Sequence, residues 1–303
     1  MAIVGQVPRR DQIPRGIMFM IGSTILFAGV NAVVKWEVAL YPIGEVAFLR
    51  SAFGLIPLYL IILPRTGLAV LRTARLGAHV KRALSQFISQ MAMFLAFWLM
   101  PLASAVAISF AAPLFTTLLS IVILKEKVGP HRWSALAVGF VGVLLITHPG
   151  SGTFQIAVLL PLLNAVMIST VAIAIRRMST TESTETLAIY QLTLITVFNA
   201  GLLPLGCEAL SWSDFGMIAL AGLGNGIAQY WWTKALHLAP PSAIVPFNYL
   251  SLVWATIIGF VVWGDVPTQG LVVGAVIVVA SGLYIFWRET VRSGAPAPGP
   301  TVS

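Results

Sequence analysis

Residues 104–146 read "SAVAISFAAPLFTTLLSIVILKEKVGPHRWSALAVGFVGVLLI" and residues 242–286 read "SAIVPFNYLSLVWATIIGFVVWGDVPTQGLVVGAVIVVASGLYIF". Both open on Ser-Ala, run through an apolar segment to an acid, turn sharply, and enter a second apolar segment spaced by glycines. The acids are Glu126 and Asp265, 265 − 126 = 139 positions apart. A pattern that returns after about half of a 303-residue chain divides it into two copies of one unit, residues 1–150 and residues 151–303.

Working outward, apolar runs of the length needed to cross a hydrocarbon layer, about 20 helical residues, recur along the chain. Ten are expected, near 16–35, 43–63, 81–100, 103–124, 131–148, 154–175, 185–205, 214–235, 242–263 and 268–287. The breaks between most of them carry Pro or Gly, as in "LPRTG", "KVGPH" and "GDVPT". With 58% hydrophobic and 9% charged residues and a mean hydropathy of +0.92, the composition excludes a sizeable soluble domain. The expected fold class is an all-α integral membrane protein of ten transmembrane helices. The first run follows Arg9, Arg10 and Arg15 but lacks a small-residue cleavage site, so it reads as a retained span.

Charge tests the count. When alternate connections are assigned to the inside, beginning with the N-terminus, sixteen of the eighteen Lys and Arg residues fall on inner segments. The other two, Lys35 and Arg50, lie within spans one and two, and the outer connections carry none. Cytoplasmic segments collect basic residues, so both termini are expected in the cytoplasm. Five spans per copy is an odd number, and the second copy therefore enters the membrane from the opposite side. Inverted repeats of this kind enclose a substrate site near the midplane of secondary transporters, so a central cavity is expected between the halves.

The net charge of +8 is spread between apolar runs rather than gathered on a solvated face, which argues against nucleic acid. Cys207 is the single cysteine, excluding an internal disulfide and a Cys-cluster metal site. No cofactor or metal is expected. His79, His131, His148 and His237 fall at loops or span ends, and no HExxH pattern or intramembrane acid pair points to an enzyme. "GLGNG" at 222–226 has neither a preceding strand nor the lysine of a phosphate loop.

Together "NAVVK" (31–35), "GEVAFLR" (44–50), "PLASAVAISFAAPLF" (101–115) followed by "KEK", "QYWWTKAL" (229–236) and "SAIVPFNYLSLVWATIIGFVVWGDVP" (242–267) resemble the drug/metabolite transporter superfamily in its ten-helix form with two EamA-type halves. The resemblance covers about residues 15 to 290 and implies a bacterial inner-membrane protein that exports or imports small metabolites, often amino acids. The second copy departs from the first at Pro113, where it offers Ser251 or Leu252.

Polar side chains inside a membrane face the bundle or water rather than lipid. Asn225, Gln229 and Trp232 lie at i, i+4 and i+7 on one face of span eight, and either line a cavity or bond between helices. Pro246 cannot bond back to the Ser242 carbonyl, which bends span nine beside Asn248 and Tyr249. In span three Gln86, Gln90, Met93 and Phe97 form a mixed amide and apolar stripe suited to an amphipathic substrate. Asn31 and Asn164 are single intramembrane amides that complete the candidate substrate-binding set.

Five charges are read as structural: Lys35 and Glu45 as an interfacial ion pair, Arg50 as a buried charge with a substrate carboxylate as its alternative partner, and Glu126 and Asp265 as local caps or pairs at tight turns. Ala135 with Gly139 and Gly270 with Gly274 have the four-residue spacing that lets helices approach closely, within or between subunits. The expected function is a secondary carrier that exports small zwitterions, amino acids including aromatic ones, by alternating access, as a monomer or homodimer in the lipid bilayer. The alternative is an importer or exchanger of a vitamin, nucleoside or related metabolite. Cationic drug efflux would want a membrane-centred carboxylate, and Glu45 lies near the edge.

Overall fold

The computed structural model describes residues 13–124, 130–147, 157–178, 181–238 and 245–293, and among them every regular element is a helix. The first half contributes α1 (Ile13–Glu37), α2 (Ile43–Thr66), α3 (Leu76–Leu99), α4 (Leu102–Ser109), α5 (Ala112–Leu124) and α6 (Pro130–Thr147). The second contributes α7 (Leu159–Met178), α8 (Thr184–Ala200), α9 (Trp212–Leu238), α10 (Leu250–Trp263) and α11 (Gln269–Ser293). Short 3-10 turns stand at Gly67–Leu71, Leu203–Leu205 and Val245–Tyr249. Glu126 and the tail after residue 293 lie outside the described residues.

Pro14–Glu37, Ile43–Thr66 and Glu185–Leu205 are each long and apolar enough to cross a membrane unaided. The exterior is oily: Leu60, Leu220 and Val261 each expose 70% or more of their surface. Large apolar side chains left exposed on several helices suit a lipid surrounding. Trp36, Trp133 and Trp212 are also exposed.

The span expected at 103–124 is not one helix. It breaks after Ser109, and Phe110 and Ala111 make turn bonds to the carbonyls of Val106, Ala107 and Ile108. Pro113 explains the break, because it has no N–H for the carbonyl of Ser109. Span nine is likewise divided, with the 3-10 turn at Val245–Tyr249 around Pro246 leading into α10. The two broken spans pack against each other through α4 and α10.

The closest helix pairings all join an element of the first half to one of the second. α1 packs on α9 and α10, α2 on α8 and α9, α3 on α7 and α8, α4 on α7 and α10, α5 on α7, and α6 on α11. Glycines permit the tightest of these approaches. A Cβ at Gly226 would stand 2.6 Å from the Gly54 carbonyl oxygen, and one at Gly274 2.6 Å from that of Gly142. Gly139 is equally crowded, by Leu114 and Ser281. Helices free of lipid between them gain dispersion along their whole contact, which small residues make possible.

Candidate substrate-binding site

Where the broken spans meet α1, α3 and α9, the helices line a half-open pocket of about 310 Å³. Thr24, Phe27, Ala28 and Asn31 supply one wall from a single face of α1, at helical spacing. Met93 of α3 and Val106, Ser109 and Phe110 at the break in span four supply the second. Trp232 of α9 with Asn248, Ser251 and Ala255 of span nine close the third. Irregular backbone at membrane depth is tolerated where protein or a cavity satisfies it, and both breaks lie against this space.

The polar groups on the wall differ in what they leave free. Ser109 Oγ donates to the Val106 carbonyl and Ser251 Oγ to the Asn248 carbonyl, each at 2.7 Å and each three residues back. Thr24 Oγ1 donates to the Ile21 carbonyl (2.8 Å) and accepts from Trp254 Nε1 (3.2 Å). These hydroxyls therefore offer a ligand lone pairs rather than protons. The side-chain amides of Asn31 and Asn248 make no hydrogen bond among the described residues, so each presents a donor and an acceptor to the cavity. Phe110 and Tyr249 stack at 5.0 Å between centroids, stiffening the seam beside Asn248.

Four of the ten residues picked out as substrate-binding, Asn31, Met93, Trp232 and Asn248, lie on this wall. The others do not. Gln86 Oε1 accepts from Gln191 Nε2 (3.1 Å), and Asn164 Nδ2 donates to the Ser89 carbonyl and hydroxyl (3.1 and 2.8 Å). Asn225 Oδ1 accepts from an Arg50 N–H at 2.9 Å. Gln229 makes a contact within the protein, Tyr249 packs on Phe110, and Gln90 is buried with its Nε2 unpaired. The stripe of Asn225, Gln229 and Trp232 is thus divided, because Asn225 turns to Arg50 of α2 while Trp232 lines the pocket.

The charges are also placed differently from expectation. Lys35 does not pair with Glu45. Its Nζ donates to the carbonyls of Met100 (2.7 Å) and Phe97 (3.2 Å) and lies 5.2 Å from the Trp263 ring. Those are the unsatisfied last carbonyls of α3, at the negative end of its dipole. Glu45 instead accepts from the Glu208 backbone N–H at 3.0 Å. Arg50 finds no carboxylate, and its guanidinium rests on the Phe94 ring at 5.0 Å. The Asp265 side chain caps no described helix: its Oδ2 is buried without a hydrogen bond just after the left-handed turn at Gly264 (φ 70°), and its charge acts on Lys35 through space.

Residues overlooked in the sequence include Thr24, Phe27, Ala28, Ser109 and Phe110, and also Glu37, fully buried with both carboxylate oxygens unpaired. The helical spacing used for α9 would have found Thr24 and Ala28 from Asn31. In the connection between α1 and α2, Tyr41 donates to Asp214 at 2.6 Å, and that carboxylate holds the phenol above its ordinary pKa.

The chain matches the EamA-like transporter family twice, over residues 14–148 and 155–287. It belongs to that family. It is 30% identical over 285 residues to a riboflavin transporter of Rhizobium johnstonii, covering 93% of this chain and 94% of the relative. It is 28% identical over 251 residues to an S-adenosylmethionine uptake transporter of Rickettsia prowazekii (81% and 83%) and 25% identical over 281 residues to a pseudopaline exporter of Pseudomonas aeruginosa (89% and 95%). As an EamA-like member of the drug/metabolite transporter superfamily it is a multi-pass inner-membrane transporter of a small molecule, not an enzyme.

Proposed function

We propose that this EamA-like protein is an alternating-access carrier that takes up a polar, ring-bearing metabolite of the vitamin or nucleoside class. The observation that carries the reading is the cavity itself, in which the open amides of Asn31 and Asn248 face each other's half of the chain between Phe27, Phe110 and Trp232. Flat aromatic walls with a few convergent amides bind a heteroaromatic ring and fix its orientation. Riboflavin and S-adenosylmethionine, named for two relatives, both carry such a ring on a polar chain.

The helix pairing supports an inverted repeat. Exchanging each span for the one five places along turns α1 on α9 into α7 on α3, and α2 on α9 into α8 on α3. The same exchange relates α4 and α5 on α7 to α10 on α1, and leaves α2 on α8, α4 on α10 and α6 on α11 unchanged. The two family matches support a division near residue 150, and the basic inner segments support cytoplasmic termini.

Amino-acid export is the second reading. It is favoured by the cavity volume, which sits at the small end of the roughly 300–1,000 Å³ usual for ligand pockets. Proteoliposomes holding the purified protein test both with labelled riboflavin and a panel of aromatic amino acids. Riboflavin flux above empty liposomes is expected. Flux of amino acids alone would install the export reading, and flux of neither would remove both.

A further inference from the structure

The geometry points to Lys35 as a gate residue at the end of the pocket where α1 finishes: bonded to α3 it holds that end shut, and it passes to Asp265 when the end opens. This rests on the carrier reading and adds the part that moves.

Three walls of the pocket run on into one knot around this side chain. Lys35 stands one helical turn beyond Asn31, so it continues the pocket face of α1 about 6 Å further along. Phe97 stands one turn beyond Met93 on α3, and its carbonyl accepts from Lys35 Nζ at 3.2 Å, with that of Met100 at 2.7 Å. Gly259 stands one turn beyond Ala255 on α10, and Asp265 folds back onto it. The Asp265 N–H donates to the Gly259 carbonyl at 3.1 Å, and its Oδ2 lies 3.8 Å from where a Cβ at Gly259 would be. Trp263, a further turn along, presents its ring to Lys35 Nζ at 5.2 Å. Phe97, Met100 and Gly259 are all buried, so packed side chains stopper the pocket at this end.

The ammonium has two seats in this knot and occupies one. The carbonyls it uses lie past the last bonds within α3. Were α3 to withdraw with them, a cation would be stranded at membrane depth, which is costly. Asp265 supplies the second seat. Its charge acts on Lys35 through space, the two are not in ion-pair contact, and its Oδ2 is buried without a hydrogen bond. An unpaired buried acceptor beside an ammonium that bonds elsewhere is wasteful in a static tie. In a switch it is useful, because the ion pair is then made only in the arrangement where α1 and α10 have parted from the end of α3. Breaking the link one turn beyond Asn31 and Met93 would uncover the pocket from this side, and two discrete packings of that kind are what opening and closing require.

The test reads opening directly. In the full chain carrying Cys207→Ser, Met100→Cys places the single thiol beside the Lys35 bond, at a position 4% exposed. Labelling by a membrane-impermeant maleimide in lipid nanodiscs, referred to the same variant unfolded in detergent, then follows the fraction of molecules open at this end. Lys35→Met should speed labelling about tenfold and Asp265→Asn should slow it about tenfold, each a shift of roughly 1.4 kcal/mol between the two arrangements. Loss of the ammonium by itself makes a neighbouring thiol less reactive, and loss of the carboxylate makes it more so. Both expected changes therefore run against the direct effect of charge. Unchanged or slower labelling in Lys35→Met, or unchanged or faster labelling in Asp265→Asn, would each overturn the assignment. Asp265→Asn decides it alone if Lys35→Met does not fold. Riboflavin and amino-acid flux in proteoliposomes reads the carrier function separately: labelling that shifts as expected in a protein that moves neither would keep the gate and remove the carrier.

Discussion

Asn31 and Asn248 reach the cavity from opposite halves, and their amides are spent on nothing else among the described residues. A hydrogen bond from such a group to a ligand is worth about 0.5–1.5 kcal/mol. Asn31→Ala and Asn248→Ala should each lower riboflavin flux in proteoliposomes by about three- to tenfold, with yield and thermal stability unchanged. Cys207 gives a second prediction. It is exposed in the connection between α8 and α9, where desolvation and then the Glu45 carboxylate push its thiol pKa upward. Since the thiolate is the reactive form, labelling by a membrane-impermeant maleimide should be slow at neutral pH, rise with pH, and quicken at neutral pH in Glu45→Gln. Labelling in intact cells would place this connection outside. The sequence revealed which side chains share a helix face, but not which neighbour that face meets. Asn164 and Asn225 were visible as intramembrane amides, whereas the Ser89 and Arg50 that engage them stand 75 and 175 positions away.

The helices were largely legible because apolar length and turn chemistry mark a span without reference to its partners. What escaped was the division of span four at Phe110, where hydropathy continues unbroken and only Pro113 hints at a freed carbonyl. The glycines make this scale testable. At Gly226 an added methyl would meet Pro57 and the Gly54 carbonyl, so Gly226→Ala should force α2 from α9 and destabilise the protein by about 1–3 kcal/mol. Gly29 has nothing within 4 Å of that position, and Gly29→Ala should leave the melting temperature unchanged or raise it. Thermal unfolding of both variants in the same detergent provides the comparison. Equal melting temperatures would show that the α2–α9 seam is looser than its geometry implies.

In the whole molecule, the repeated pattern suggests two units, and the family matches residues 14–148 and 155–287, but neither says how the two stretches interlock. Each copy sends its first and third helices to pack with the other, and the closest pairings cross between copies. Residues 1–150 or 151–303 expressed alone should accordingly be degraded, whereas coexpression should yield a complex that an affinity tag on one fragment retrieves with the other. Recovery of either fragment alone as a stable, monodisperse protein would contradict this. The interlocking also gives synthesis a timetable. Arg50 leaves the ribosome about 175 residues ahead of Asn225, so the nascent chain must shelter a lone cation in the translocon or at the lipid headgroups until α9 is delivered. Translational pausing late in the message would prolong that interval, and quality-control proteases that patrol unassembled membrane segments would meet the protein there.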